Sequence, residues 1–220
     1  GLESVFYAAL ITLGLALVIE ERSGESARKW SSTLVFAAAL LTRPEAPLLI
    51  FLIHLGLCIK DGKWDQSIQS GAALLSLLIF VLLLRIGYYG EIFPNTYYAK
   101  VGGTAFSRGL TYLKTYTIYH PLMTLGLCFT LLSKKQNPAW SAIWFLCGGM
   151  LCYLLVIGGD FKPTGRFVLP LSGVLACCVA YLGAIVESRS QRWLWLAFLA
   201  LALVARGHMY FDSLGWAKDR

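Results

Sequence analysis

An all-α, polytopic transmembrane helical bundle is the architecture predicted for this 220-residue chain, with about eight membrane segments and one short interfacial helix. Three features predict it. Hydrophobic residues make up 57% of the chain and charged residues 14%, with a mean hydropathy of +0.64, outside the soluble globular range. The apolar residues fall in blocks of roughly the length that spans a bilayer as helix. Several blocks lack an amphipathic stripe, as expected of helices wrapped by lipid and by one another. A single transmembrane domain over residues 1–220 follows.

In chain order the blocks cover residues 5–19, 32–41, 47–59, 68–86, 120–132, 139–157, 167–186 and 193–205. The chain opens with Gly1 and is apolar by Val5, without a basic leader or cleavage site, so no signal peptide begins it and a fragment of a longer protein is expected. Connections 20–30, 60–66, 133–138 and 187–192 are short and rich in Lys and Arg, the cytoplasmic signature. That placement accounts for the net charge of +7, and no nucleic-acid partner is predicted. Strict alternation then puts residues 1–4, 42–46, 87–119 and 158–166 on the external face. Blocks 32–41 and 47–59 are shorter than a usual span. They form either a hairpin of two short helices or one long broken span; the hairpin is adopted, because it keeps the later basic loops inside. By this reading the unusual chemistry is all external and the cytoplasmic loops are plain connectors.

Four segments carry that chemistry. In Arg43-Pro44-Glu45, Pro44 denies a backbone donor and pushes Arg43 out of helical geometry. A planar guanidinium suits a phosphate, while an Arg43–Glu45 pair reaching the interface is the plain alternative. The stretch 85–100 combines Tyr88, Tyr89, Tyr97, Tyr98 and Phe93 with Glu91, Asn95 and Lys100. It reads either as an aromatic belt at headgroup level or as a sugar site, which needs donors and acceptors beside flat rings. Between 104 and 117, Phe106, Leu110 and Leu113 share one helical face, predicting a short helix flat in the interface. Residues 158–166 hold Asp160, Lys162 and Arg166 among three glycines and Pro163, between two apolar blocks. Charge near membrane depth is expensive and usually functional. Arg166 is expected to begin the next span, where a helix N-terminus adds anion donors.

The cysteines Cys58, Cys128, Cys147, Cys152, Cys177 and Cys178 lie in apolar runs without C-x-x-C spacing and are expected to be packing residues. His54 is expected to be a hydrogen-bonded packing residue; His120, before Pro121, is a modest candidate for the external side. No metal site is predicted from these residues, and a divalent cation is left open.

With these motifs in place, the chain resembles the polyprenyl-phosphate-dependent glycosyltransferases of the GT-C superfamily, and is similar within it to the bacterial terminal arabinofuranosyltransferase group. The resemblance rests on Gly1-Leu2-Glu3, Arg43-Pro44-Glu45, Tyr88-Tyr89-Gly90, Pro94-Asn95-Thr96-Tyr97-Tyr98-Ala99-Lys100, Gly158-Gly159-Asp160-Phe161 and Gly165-Arg166. It implies a polyprenyl-phosphate-linked sugar donor, a glycan or protein acceptor, and transfer on the external face of a bacterial inner membrane. The family's catalytic acid lies in a first external loop that this chain is expected to lack, so the general base is placed outside it and Asp160 is supporting. Arg43, Lys162 and Arg166 are then candidates for the donor phosphate, Asp160 for orienting them or a sugar hydroxyl, and Asn95, Tyr97, Lys100 and Glu45 for other substrate contacts. A transporter or lipid flippase is the main alternative, though no internal repeat is visible. A non-catalytic scaffold is a second.

Overall fold

The computed structural model describes residues 2–24, 29–90, 105–132, 138–159 and 167–184. Every regular element among them is helical: α1 (Leu2–Ser23), α2 (Ser31–Thr42), α3 (Ala46–Asp61), α4 (Trp64–Tyr89), α5 (Ala105–Tyr119), α6 (Pro121–Leu132), α7 (Pro138–Ile157), a 3-10 turn (Leu169–Leu171) and α8 (Ser172–Ala184).

Chain chemistry sets the breaks. Arg43 is extended (φ −146°, ψ 141°), as a residue before proline tends to be, and α2 stops there. Pro47 sits in the first turn of α3, where a missing N–H costs nothing. Gly62 and Gly90 end α3 and α4 in the left-handed conformation (φ 67° and 72°), their N–H groups donating to Cys58 O and Ile86 O. Pro121 interrupts the turn between α5 and α6, while His120 still donates to Tyr116 O at 2.8 Å.

Helices α1, α2 and α3 run back and forth. Arg43, at the α2–α3 tip, contacts Glu3 and Ser4 at the start of α1, and Asp61, at the end of α3, contacts Arg22 at the end of α1. Residues 32–41 and 47–59 therefore form a hairpin, not one broken span. The most extensive interface joins α3 to α7, followed by α1 with α2. Small residues permit it: a Cβ on Gly56 would lie 2.7 Å from Ala142 Cα and from Ser141 O. Pairing of Gly56 with Ala142 and of Gly149 with Leu52 shows that α7 is antiparallel to α3. The core between them comprises Tyr7, Ile11, Phe36, Leu49, Ile53, Leu146, Met150 and Leu154. Helix α4 lies at the edge of this core, joined to it through Leu74, with only Ser70 and Leu74 buried and most of its apolar length exposed among the described residues.

Three described helices are long and apolar enough to cross a membrane: Leu2–Ser23, Trp64–Tyr89 and Pro138–Ile157. Shorter apolar helices cover Ser31–Thr42 and Leu169–Tyr181. The count of three stands below the eight blocks because several blocks form helices too short for that criterion; residues 193–205 lie outside the described residues. One further expectation changes. The block 167–186 is not one helix from Arg166, since Phe167 and Val168 form a turn and the first helical residues are Leu169–Leu171. On α5, Phe106 and Leu110 are exposed, and the buried face is Gly109, Tyr112 and Tyr116. The glycine lets α5 approach α7, where its Cβ would meet Leu154 O at 2.6 Å.

Candidate functional site

Arg43 is the centre of a buried ionic cluster at one end of the bundle. Its extended backbone turns the side chain across the start of α1. Nη1 donates to Glu45 Oε1 at 2.9 Å and Nη2 to Ser4 Oγ at 2.5 Å. Nε lies 3.2 Å from Glu3 Oε1, an ion-pair contact without hydrogen-bond alignment. The guanidinium also stands over the Tyr7 ring, 5.9 Å from its centroid, a cation–π geometry. Burial disfavours its charge, yet the hydrogen bond and charge of Glu45, with the charge of Glu3, outweigh that and push its pKa above the ordinary arginine value.

The cluster is tight on one side and open on the other. Side chains of Arg43 and Glu45 are 9% and 3% exposed, whereas that of Glu3 is 65% exposed. The Tyr7 hydroxyl, on a fully buried residue, has no hydrogen-bond partner among the described residues. With two carboxylates to one guanidinium, these residues carry an excess negative charge.

Arg43 and Glu45 are the predicted site residues that the structure describes, and they are in direct contact. They form a buried pair. Asn95, Tyr97, Lys100, Asp160, Lys162 and Arg166 lie outside the described residues. Residues flanking those segments sit at the Arg43 end. The C-terminal end of α7 is level with the start of α3, and Gly159 (φ 72°) would bring a Cβ within 2.6 Å of Tyr112 Cγ. Phe167 N donates to Tyr112 Oη at 3.1 Å, so a single tyrosine ties both flanks of 160–166 to α5. Tyr88 and Tyr89, edge to face at 4.7 Å and both exposed, close α4 before Gly90 at the same end.

Ser4 and Tyr7 were not among the expected site residues. No local pattern marks them, because the partner that makes them polar contacts lies 39 residues from Ser4. Among the described residues, no group of three or more His, Cys, Asp or Glu side chains is arranged to hold a metal ion. His120 stacks on Tyr116 at 4.7 Å and its carbonyl accepts from Thr124 N–H and Oγ1–H. The opposite end is also less plain than the sequence implied. Glu21 accepts from Ser32 N and Oγ, and Arg22 gathers Asp61 and Ser67.

No protein-family profile matches the chain, and no solved structure matches it. The chain is similar to the terminal β-(1→2)-arabinofuranosyltransferase of Mycobacterium tuberculosis (strain ATCC 25618 / H37Rv), 25% identical over 186 residues. That similarity covers 70% of this chain and 30% of the enzyme, so the chain spans about a third of its relative's length. A distant relation to a sugar transferase is what the similarity supports, and the apolar helices describe a membrane protein.

Proposed function

We propose that this chain is part of a membrane glycosyltransferase of GT-C type, moving a sugar from a polyprenyl-phosphate donor to a cell-envelope glycan or protein acceptor. Transfer takes place on the external face of a bacterial inner membrane. The observation that carries the reading is convergence. Arg43 and Glu45 are in contact at the α2–α3 tip, α4 ends in the exposed Tyr88–Tyr89 pair, and both flanks of residues 160–166 are tied to α5 through Tyr112, in a chain similar to an arabinofuranosyltransferase.

The acceptor hydroxyl attacks the anomeric carbon of the donor. A new glycosidic C–O bond forms, the C–O bond to phosphate breaks, and polyprenyl phosphate departs. The hydroxyl proton passes to a general base. Lys162 and Arg166 stabilise the departing phosphate as charge gathers on its oxygens. Asp160 orients those cations or a sugar hydroxyl, and Asn95, Tyr97 and Lys100 contact the sugar. Arg43 keeps Glu45 and Ser4 and offers Nε–H to the phosphate by exchanging Glu3, its exposed and poorly aligned partner. Glu45 holds the guanidinium in place for that exchange.

Asp160→Asn and Arg166→Ala in the whole protein, assayed with purified polyprenyl-phosphate sugar, lose transfer while membrane insertion is retained. Full activity in both variants would overturn the site assignment.

A further inference from the structure

The end of the bundle opposite Arg43 holds a second polar cluster, and two cavities adjoin it. Arg22, 6% exposed in the last turn of α1, donates through Nη1 to Asp61 Oδ2 at 2.5 Å and through Nη2 to Ser67 Oγ. Its Nε–H is buried without a partner among the described residues. His54, 8% exposed, has Nδ1 2.9 Å from Ser67 Oγ and Nε2 buried, also without a partner among the described residues. A guanidinium can only donate, so Ser67 accepts from Arg22 and its own hydroxyl proton is available to His54 Nδ1. Neutral His54 then carries its proton on Nε2. Both orphaned atoms are therefore donors, and a buried donor without an acceptor costs about 1–3 kcal/mol.

A polar cavity of about 90 Å³ is lined by these two residues with Glu21, Lys29, Trp30 and Gln69. An apolar groove of about 360 Å³ runs between α3 and α4, from Pro47 and Phe51 to Cys58 and Trp64, and His54 lines both spaces. At 1.5 Å per residue the groove extends about 17 Å along α3. That is close to one leaflet of a hydrocarbon core about 30 Å thick. Gly71 forms part of its wall, and a Cβ there would meet nothing within 4 Å.

We infer that the groove and the polar cavity together seat an anionic diacyl phospholipid, one acyl chain lying between α3 and α4 and the headgroup at Arg22 and Lys29. Phosphodiester and ester oxygens are acceptors only, the complement of two orphaned donors. The cavity lining includes two cations, Arg22 and Lys29, against one carboxylate, Glu21, both of whose oxygens are taken by Ser32. Asp61 pairs with Arg22 from outside that lining. Helix α4, exposed along its apolar length, leaves the groove open toward lipid. The seat lies at the end away from Arg43 and does not depend on the transferase reading.

Trp64 lines the groove and reports on it. The whole protein is placed in phosphatidylcholine vesicles containing phosphatidylglycerol with brominated acyl chains, and Trp64 emission is taken as wild type minus Trp64→Phe. Brominated phosphatidylglycerol should quench Trp64 as though enriched about tenfold over its bulk fraction, the size of one charge-assisted contact. Brominated phosphatidylcholine should quench only at bulk level. Gly71→Phe, on the groove wall where an added Cβ meets nothing within 4 Å, should return quenching to bulk, and Lys29→Gln should reduce the preference for phosphatidylglycerol. Bulk-level quenching by both lipids, as when residues 193–205 of this chain cover the groove, overturns the inference. So does equal excess quenching by both.

Discussion

Arg43 gathers the buried ionic contacts at one end of the bundle, and the proposed donor contact, in one side chain. Its guanidinium is buried against Glu45 and Ser4, so removing it strands a carboxylate that is itself buried. Breaking such a pair from one side costs about 3–5 kcal/mol, far more than the pair contributes net. Arg43→Gln should therefore lower the melting temperature in detergent sharply, and Arg43→Lys should recover only part, because an ammonium cannot reproduce the fork. Glu3→Gln, at an exposed position, should change stability by no more than about 0.5 kcal/mol. Equal melting of all three variants with wild type would remove the cluster from the account. The Arg43-Pro44-Glu45 motif was legible in the sequence because its logic is local: a proline forces an extended arginine, and a carboxylate stands two residues on. Ser4 and Tyr7 were illegible because only the folded hairpin brings them within reach. His54 was legible as a hydrogen-bonded core residue, but its orphaned Nε2 was not, since that depends on Ser67 presenting its hydroxyl to the other nitrogen.

At the scale of elements, helix existence followed from hydropathy and helix faces did not. The stripe Phe106, Leu110 and Leu113 was read as the side of α5 that lies on the interface, and Phe106 and Leu110 are exposed; the buried side, Tyr112 and Tyr116 beside Gly109, was not read from the sequence. Tyrosine counts as half polar in any moment, while its ring buries as fully as a phenylalanine once the hydroxyl has work such as accepting from Phe167 N. The late start of α8 escaped notice for a related reason. The block 167–186 is evenly apolar, and only Pro170 marks the 3-10 turn that precedes the helix. Close packing of α3 on α7 gives a sharp prediction. Gly56→Ala places a methyl against backbone atoms that cannot step aside and should cost about 1–3 kcal/mol. Gly71→Ala meets open space and should be neutral or stabilise by up to about 1 kcal/mol, since glycine is a poor helix former. Thermal unfolding of the two variants side by side checks the pair, and an equal response would show that the α3–α7 contact does not govern stability.

For the whole molecule, polar chemistry is divided between two ends. Arg43, Glu45 and the flanks of the two glycine- and tyrosine-containing segments occupy one, and Arg22, Asp61, Lys29 and Lys63 the other. Under the charge rule for short loops, the proposed orientation puts the second end, with its basic residues, toward the cytoplasm. Cysteines introduced at Thr164 and at Lys29 should accordingly react with an impermeant maleimide from opposite sides of the membrane, Thr164 from outside. Reaction of both from one side would refute the orientation. That the two ends exist was visible in loop composition. That the second end holds a buried network and a groove was not, because its serines and histidine are scattered among apolar residues on separate helices. The central claim, a lipid-linked sugar bound at the Arg43 end, is tested most directly by photo-crosslinking. A photoreactive amino acid is placed at Glu3, Tyr88 or Lys29 of the whole protein and irradiated with a radiolabelled polyprenyl-phosphate sugar. Labelling at Glu3 and Tyr88, suppressed by excess unlabelled donor, with none at Lys29, is the predicted result. Labelling at Lys29 alone, or at none of the three, would contradict it.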